Sequence, residues 1–324
     1  MPHLSYSALA RKFGYPLYIY DEGVITSRLA MLRETFPDFG LLYSMKTNPN
    51  PSIYRFMADQ GLGIDAASSF EVKKALEAGF EPDRIFYSAP GKTGGQLADA
   101  LGKCVITADS YTELLRLEHL ADASPCRDGK PLPVGLRINP DLAFGPGEFP
   151  ELLPGVSSKF GVDEESLAGH WDLLAASRRV RISGIHVFLR SQVLSQEALA
   201  ACFKKIFMLA ERCREEFGWD LDFINFGGGL GIPAPGSDAE TGRIDLDRLR
   251  LDVCELVSRY RTGLPGCRFL LESGRFPVGA AGTFVSRIDA VYEPRGQPYL
   301  IPPGGLSGFV SPSALYLLNA LSYT

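Results

Sequence analysis

The sequence predicts an α/β fold: a TIM-like (β/α)8 barrel joined to a second, smaller β-domain built from both chain ends. Two observations support this prediction. Short β-branched or aromatic runs alternate with helical patterns, and eight such runs occur along the chain. Eight strand–helix units within about 230 residues favour a closed barrel. An open doubly wound sheet is the alternative, because sequence alone does not show closure.

The predicted barrel covers residues 24–278. Its strands share an apolar body with a polar or glycine end, and they are residues 41–46, 63–68, 85–90, 105–109, 134–140, 182–188, 223–229 and 269–275. Helical spacing of apolar residues fills the gaps, over residues 50–60, 69–79, 94–101, 110–122, 163–178, 194–217 and 245–262. A long loop precedes the helix that follows the fifth strand.

Two segments near the chain ends lie outside the barrel pattern. Residues 17–21 alternate in polarity and precede a helix over 22–36, and residues 282–305 are typical of a hairpin of β-strands. We therefore expect a β-domain formed by residues 1–23 together with 279–324. Its C-terminal part is expected to be incomplete.

Composition excludes several functional classes. The 324 residues carry 33 Lys and Arg against 38 Asp and Glu, a net charge of −5 that gives no electrostatic reason to bind nucleic acid or an anionic membrane. No apolar run reaches the roughly 18 residues of a spanning helix, and the first residues lack a signal-peptide core. The scattered cysteines have no CxxC spacing and are typical of reduced thiols: Cys104, Cys126, Cys202, Cys213, Cys254 and Cys267. We expect a soluble cytoplasmic enzyme.

Polar residues and glycines stand at or near the carboxyl ends of the predicted strands, where barrels of this type hold their working residues. They are Lys46, Asp65, Ser68, Arg137, His186, Gly227, Gly228, Gly229, Glu272 and Arg275. Because parallel barrel strands all end at one rim, we expect these residues to converge on a single mouth.

Lys46 and the glycine triplet each allow two interpretations. Desolvation at the end of an apolar strand would lower the pKa of Lys46 and favour the neutral amine that forms a Schiff base with a carbonyl. An ordinary surface lysine is the alternative. The backbone of Gly227–Gly229 could approach a phosphate closely, assisted by a following helix start, whereas a tight turn is the plainer explanation.

Glu272 and His186 are equally open when taken alone. A buried carboxylate needs a partner, which could be Arg275, Arg137 or the protonated nitrogen of a cofactor ring. His186 could be a core histidine or could stack on a flat ring, and no other histidine has metal-ligand spacing with it. Lysine, glycine loop, carboxylate and histidine at one mouth together predict a pyridoxal 5′-phosphate site and no metal.

Nine segments spread in order over nearly the whole chain resemble the fold-type III pyridoxal-phosphate decarboxylases, the group of diaminopimelate, ornithine and arginine decarboxylases. They are FGYPLYIYD, YSMKTNPNP, GIDAASSFEVKKAL, FYSAPGKT, LRINP, SSKFGV, GIHVFLRSQ, NFGGGLGI and ESGRFPVGAAG. The resemblance implies an alanine-racemase-like barrel with a β-domain. It also implies a head-to-tail homodimer with shared active sites, and a lyase that removes the α-carboxylate of an amino acid as CO2.

The resemblance further implies roles for individual residues. Lys46 matches the lysine that forms the Schiff base with the cofactor, and Asp65 matches the acid beside it. His186 matches the histidine that stacks on the cofactor ring, and Glu272 the partner of the ring nitrogen. Arg137 matches an arginine that supports the inner layer of the site.

The remaining matches concern phosphate and substrate. Ser191 and Gly227–Gly229 match the phosphate-binding serine and loop, and Gly274 belongs to a cofactor-binding motif. Arg275 matches an arginine that helps to hold the phosphate or the substrate carboxylate. Tyr316 is a candidate substrate contact.

Three features depart from the ordinary diaminopimelate enzyme. Ser191 follows His186 by five residues, a longer spacing that resembles a side branch acting on modified or carrier-linked amino acids, and Arg190 stands where a glycine is expected. Residues 310–316 lack the arginine of the usual Arg-Pro-x-Leu-Tyr segment, which argues against a substrate with a distal carboxylate. The expected Cys-Glu segment and late tyrosine of the β-domain do not occur before Thr324.

Two further functions remain as alternatives. One is a racemase or aldolase that uses the same cofactor and barrel. The other is a degenerate relative that binds the cofactor or a partner without turnover. Visible absorbance of the bound cofactor, followed by assay of CO2 release, distinguishes the three.

Overall fold

The computed structural model describes residues 5–123, 130–141, 159–188, 190–233 and 244–303. In chain order, the strands among them are β1 (Leu17–Tyr20), β2 (Phe39–Ser44), β3 (Gly63–Ala66), β4 (Ile85–Tyr87), β5 (Val105–Ala108), β6 (Leu132–Asn139), β7 (Val162–Asp163), β8 (Val180–His186), β9 (Phe223–Asn225), β10 (Arg268–Ser273), β11 (Gly282–Val285), β12 (Ala290–Tyr292) and β13 (Tyr299–Ile301).

Helices occupy most of the segments between the barrel strands. In chain order, the described α-helices are α1 (Tyr6–Phe13), α2 (Glu22–Thr35), α3 (Pro51–Asp59), α4 (Ser69–Glu77), α5 (Gly94–Ala100), α6 (Tyr111–Ala123), α7 (Ser166–Gly169), α8 (Trp171–Ala176), α9 (Gln196–Phe217), α10 (Leu246–Tyr260) and α11 (Arg275–Val278). The longest, α9, begins after Ser195, whose hydroxyl accepts from the Ala198 N–H, and ends at Gly218 in the left-handed conformation. No helix of the described ranges is both long and apolar enough to span a membrane.

Eight parallel strands close into a barrel. The hydrogen-bonded order runs β2, β3, β4, β5, β6, β8, β9 and β10, and β10 pairs again with β2. The predicted closed barrel is therefore confirmed, and the open doubly wound alternative is wrong. Nearly every residue of these strands is buried, as expected where a parallel sheet is covered on both faces.

Large side chains fill the barrel, and glycines make room for them. Phe223 packs with Phe86 inside the barrel, and a Cβ at Gly184 would lie 2.5 Å from the Phe223 ring. Outside the barrel, aromatic rings of α9, of strand ends and of the segment after α2 form a second cluster: Phe36, Phe39, Phe203, Phe207, Phe226 and Phe269. These two layers hold the strands whose carboxyl ends carry the site.

The described residues divide into two compact units. One is Thr26–Pro277, which contains all eight barrel strands, and the other combines Met1–Ile25 with Val278–Thr324. The predicted limits of 24–278 for the barrel stay a prediction.

In the second unit, β1 pairs antiparallel with β11, and β12 pairs with β13 as a hairpin. Sequence pattern indicated these strands, but it did not indicate that β11 leaves the hairpin to pair with β1. It also did not indicate α1, whose eight residues begin after the capping hydroxyl of Ser5.

Candidate active site

The predicted site residues lie at the carboxyl end of the barrel. Lys46 sits in a 3₁₀ helix, Met45–Thr47, directly after β2, and Asp65 is buried in β3. Arg137 lies near the end of β6, His186 ends β8, and Glu272 lies in β10. The expectation that strand ends carry the polar residues is therefore met for each of these strands.

Lys46, directly after β2, and Asp65, in the neighbouring strand β3, form an ion pair at the barrel rim. Lys46 Nζ lies 3.1 Å from Asp65 Oδ2, and the other carboxylate oxygen accepts a 2.6 Å hydrogen bond from Ser88 Oγ. The lysine side chain is 54% exposed, whereas that of Asp65 is 1% exposed. The amine is thus reachable from solvent while its counter-ion is fixed in the protein.

The charge state of Lys46 differs from the sequence-based expectation. Burial is the largest single influence and lowers the pKa of Lys46, as predicted. The carboxylates of Asp65 and Glu272 and the hydrogen bond to Asp65 together outweigh it, so the pKa of Lys46 is raised above its usual value. The prediction of a lowered pKa was wrong because it considered burial alone, without the charges of these two acids.

Arg137 supports the site from the next layer. Its guanidinium donates to the backbone oxygen of Ser88 at 3.4 Å and to Asp109 Oδ1 at 3.3 Å, and it lies over the ring of Phe160. The other oxygen of Asp109 accepts from the Gly161 N–H at 3.1 Å. Arg137 therefore pairs with Asp109, so it is not the partner of Glu272.

Glu272, Asn225 and His186 form a buried cluster. Asn225 Nδ2 donates to Glu272 Oε1 at 2.9 Å, and His186 Nε2 lies 3.2 Å from the same oxygen. Neither ring nitrogen of the buried His186 makes a hydrogen bond of good geometry to a described residue. The arginine partners considered for Glu272 are replaced by an amide and an imidazole.

This cluster keeps the Glu272 carboxylate ionised. Complete burial is the largest influence and raises the pKa of Glu272. The His186 imidazole, the Lys46 ammonium and the Asn225 amide oppose it, and the pKa of Glu272 is lowered. A buried negative charge thus lies at the carboxyl end of β10.

Asn225 has a second role that sequence pattern did not indicate. Its Oδ1 accepts from the Gly227 N–H at 2.9 Å while its amide nitrogen donates to Glu272, so both ends of the side chain are used. An amide at the end of an apolar strand, two residues before the glycine triplet, was the available indication.

The glycine triplet is required by close backbone packing. Gly227 has φ +63°, in the left-handed region, and a Cβ there would collide with Val187 O. A Cβ at Gly228 would lie 2.9 Å from Glu272 O. Residues 230–233 are not helical, and α10 begins only at Leu246. The expected helix start directly after the triplet is therefore absent from the described segment 230–233.

One cavity of about 400 Å³ brings most of the site together. The predicted residues that line it are Lys46, Ser191, Gly228, Gly229, Glu272, Gly274 and Arg275. A Cβ at Gly274 would overlap Thr47 Oγ1, so glycine keeps this wall in place. Arg190 is exposed and is not among the described residues that line the cavity. Tyr316 and the segment 310–316 lie outside the described residues.

The site defines a class of protein: a parallel barrel with a reachable lysine, a buried carboxylate and a glycine-lined cavity at its carboxyl end. Residues 22–279 match the family model described as "Pyridoxal-dependent decarboxylase, pyridoxal binding domain". The chain belongs to this family of pyridoxal-dependent decarboxylases.

Two curated relatives illustrate the similarity. A diaminopimelate decarboxylase of Aquifex aeolicus is 30% identical over 313 residues, 96% of this chain and 71% of that protein. An L-glutamyl-[BtrI acyl-carrier protein] decarboxylase of Niallia circulans is 31% identical over 304 residues, 93% of this chain and 69% of the relative.

Solved structures show the same fold. The diaminopimelate decarboxylase of M. jannaschii, in co-complex with L-lysine, superposes with a TM-score of 0.81 at 25% identity, over 92% of this chain and 69% of that one. AQ1208 of Aquifex aeolicus gives a TM-score of 0.75 at 28% identity, covering 93% of this chain and 68% of the other.

The family's cofactor is pyridoxal 5′-phosphate, and the described residues fit it. The ring nitrogens of His186 are buried and make no hydrogen bond of good geometry to a described residue, although Nε2 lies 3.2 Å from Glu272. Glu272 supplies an ionised acceptor for a protonated ring nitrogen, and Lys46 supplies a reachable amine. Glycines form the wall beside which a phosphate can lie.

Proposed function

We propose that this chain removes the α-carboxylate of an amino acid as CO2, with pyridoxal 5′-phosphate held at the carboxyl end of the barrel. One observation carries the proposal: the reachable Lys46, the ionised Glu272 and the glycine wall meet in a single cavity. When bound, the cofactor supplies an aldehyde that takes up the substrate amine and a ring that accepts the electrons left as CO2 departs.

The chain's own residues supply placement and charge. Lys46 Nζ is the amine that would bond to the cofactor, and Asp65 and Glu272 keep that amine protonated when it is free. Lys46 is then also a proton donor inside the cavity. Glu272 would hold a proton on the ring nitrogen, because its own pKa is lowered and it stays a carboxylate.

The other predicted residues fall into two proposed roles. His186 would cover one face of the cofactor ring, and Arg137 would hold the layer beneath through Asp109 and Ser88. The phosphate would be held by Ser191, Gly227, Gly228, Gly229, Gly274 and Arg275, most of which line the cavity. Arg275 could instead contact the substrate carboxylate, and Tyr316 stays a predicted substrate contact.

The proposed substrates are diamino acids and modified or carrier-linked amino acids. The named relatives support both classes, since one acts on diaminopimelate and another on a glutamyl group attached to a carrier protein. The spacing between His186 and Ser191 favours the second class, as does the missing arginine in residues 310–316.

We also propose a cytoplasmic homodimer with shared active sites. Similarity to the decarboxylases supports the dimer, and the described cysteines, all free thiols, are in keeping with a reducing compartment. Size-exclusion chromatography with light scattering would measure the mass of the assembly in solution. A monomer at micromolar concentration would contradict the dimer.

A spectrum and a CO2 assay test the function. Purified protein is mixed with pyridoxal 5′-phosphate and then with meso-diaminopimelate, lysine, ornithine and carrier-linked L-glutamate, and released CO2 is trapped. We expect a visible absorbance band and CO2 from one substrate class. The variant Glu272→Gln should keep the band and lose about 10²–10³-fold in turnover, because a neutral amide cannot stabilise a protonated ring nitrogen.

The alternative functions give different results in the same assay. A racemase would change the chirality of a substrate without CO2, and a degenerate relative would show the band without turnover of any substrate. Absence of the band in the intact chain would contradict every catalytic assignment above.

A further inference from the structure

Gln192 has a strained backbone at the edge of the active-site cavity. Its φ is +63°, and among the described non-glycine residues only Arg295 shares a positive value. Gln192 lines the cavity beside Ser191, Gly228 and Gly229. Backbone strain of this kind persists only where the surrounding contacts hold the residue in place.

The Gln192 side chain supplies two such contacts. Its Nε2 donates to Ile232 O at 3.0 Å, and its Oε1 accepts from the Ile232 N–H at 3.1 Å. A primary amide carries a donor and an acceptor side by side, so it can bond the C=O and the N–H of one residue at the same time. The pair joins the segment before α9 to the chain that leaves the glycine triplet.

Backbone bonds continue the same junction toward the cavity. The Val193 N–H donates to Gly229 O at 2.9 Å, and the Gly231 N–H donates to Val193 O at 2.9 Å. A Cβ at Gly231 would lie 2.8 Å from Val193 O, so the two segments are in close contact. Ser191, which lines the same cavity, directly precedes this junction in the chain.

We propose that Gln192 is a positioning residue for the phosphate side of the cavity, acting through Ser191 and the glycine triplet. The inference rests on the proposed function, because it takes this wall to be the phosphate site. The amide bonds hold the two segments together before the ligand arrives, and preorganisation of this kind lowers the ordering cost of binding.

Three substitutions separate the amide bonds from the backbone strain. Gln192→Ala removes both bonds, and Gln192→Asn keeps an amide that is one methylene too short to reach Ile232. Gln192→Gly removes the bonds but relieves the positive φ. Since Asn and Gly tolerate the left-handed region better than Gln, a purely structural role predicts that these two variants are unaffected or improved.

Two ligands isolate the phosphate contribution. Dissociation constants are measured by absorbance titration of the full chain, freed of cofactor, with pyridoxal 5′-phosphate and with pyridoxal. We expect Gln192→Ala and Gln192→Asn to weaken pyridoxal 5′-phosphate by about tenfold, the worth of two modest hydrogen bonds, and to leave pyridoxal unchanged. Gln192→Gly should weaken pyridoxal 5′-phosphate by a similar factor and leave pyridoxal unchanged. Its urea midpoint should stay the same, because relief of the positive φ offsets the two lost bonds.

Gln196→Ala is the matched control. Gln196 lies four residues further on, bonds Glu197 and the Asp245 N–H, and does not line the cavity. It should leave both dissociation constants unchanged. Equal weakening of the two ligands by the Gln192 variants, or no weakening, would overturn the positioning role. If the unmodified chain itself does not prefer the phosphorylated ligand, the proposed phosphate wall is wrong, and the inference falls with it.

Discussion

Two lysines at the barrel rim lie in similar short sequences but have opposite surroundings. Lys46 belongs to Tyr-Ser-Met-Lys-Thr after β2, and Lys92 to Tyr-Ser-Ala-Pro-Gly-Lys-Thr after β4. Each pairs with a carboxylate, Lys46 with Asp65 at 3.1 Å and Lys92 with Glu113 at 2.8 Å. The Lys46 side chain is 54% exposed, whereas the Lys92 side chain is fully buried.

The pKa values of the two lysines are shifted in opposite directions. For both lysines desolvation is the largest influence and lowers the pKa. At Lys46 the acids prevail and the pKa is raised, while at Lys92 desolvation prevails and the pKa is lowered despite Glu113 and Asp109. A paired lysine is therefore available for chemistry where it is reachable from solvent, whereas an enclosed one can only contribute to the fold.

The largest expected effect is the loss of activity in Lys46→Ala. Without the amine the chain cannot hold the cofactor covalently, so the visible band should vanish and CO2 release should fall by at least about 10⁴-fold. Urea unfolding should lose less stability than in Lys92→Met, because the Lys46 side chain is half-exposed and the buried Asp65 keeps its hydrogen bond from Ser88. Absorbance and CO2 assays check this.

Lys74→Ala is the control for that prediction. Lys74 also pairs with an acid, Glu77 at 2.7 Å, but on the surface of α4. Its removal should leave band, turnover and stability as they are. Retained turnover in Lys46→Ala would contradict the proposed difference between the Lys46–Asp65 pair and the Lys92–Glu113 pair.

Lys92→Met should have the reverse effect. Removal of one partner of an enclosed pair leaves Glu113 as an uncompensated buried charge and should cost about 3–5 kcal/mol of unfolding free energy. Backbone N–H bonds to Glu113 from Lys92 and Asp109 favour the lower end of that range. Urea denaturation measures the loss.

The double variant Lys92→Met with Glu113→Gln sharpens the result. It removes the orphaned charge and should recover part of the stability, with the cofactor band present in both variants. An unchanged urea midpoint in Lys92→Met would show that the buried pair contributes nothing to the fold.

The same two lysines show how much of the fold and of the candidate site could be predicted from the sequence. Strand and helix periodicity predicted the barrel, and strand-end position brought Lys46, Asp65 and Glu272 to one rim. Lys46 is the last residue of the predicted strand 41–46, whereas Lys92 lies beyond the end of the predicted strand 85–90. Strand-end position therefore indicated Lys46, and the resemblance to the decarboxylases supported that choice through the whole run of residues around it.

What remained hidden depends on contacts between distant segments. Ser88 and Asn225 act through hydrogen bonds to Asp65 and Glu272, which lie 23 and 47 residues away. No local pattern encodes such pairs. The sign of the Lys46 pKa shift was mispredicted because it depends on how close the acids of β3 and β10 come to the ammonium, which strand-end position does not give.

A smaller effect is expected in Asp65→Asn. The amide removes both the charge and the charged hydrogen bond that raise the pKa of Lys46, so burial should then lower that pKa. Titration of the Lys46 side-chain carbon by NMR, assigned with Lys46→Arg, measures the change. Glu77→Gln should leave the Lys46 titration unaltered, and an unaltered titration in Asp65→Asn would make Glu272 the dominant acid.

The smallest expected effect is the response of stability to alkaline pH, and it has opposite signs at the two lysines. The pKa of Lys92 is lowered from 10.5 in the folded chain, so between its folded pKa and 10.5 the unfolded state binds more protons and stability rises with pH. The slope from one such group is at most about 1.4 kcal/mol per pH unit.

Lys46 behaves differently because its folded pKa is raised. Its stabilisation is fully present below 10.5 and is lost only as pH rises through the higher folded value. The difference in unfolding free energy between the unmodified chain and Lys92→Met should therefore grow from neutral pH toward 10.5, while the difference from Lys46→Met stays level. Urea titrations across that range measure both, and parallel pH dependence of the two variants would show that the enclosed lysine keeps its proton as readily as the reachable one.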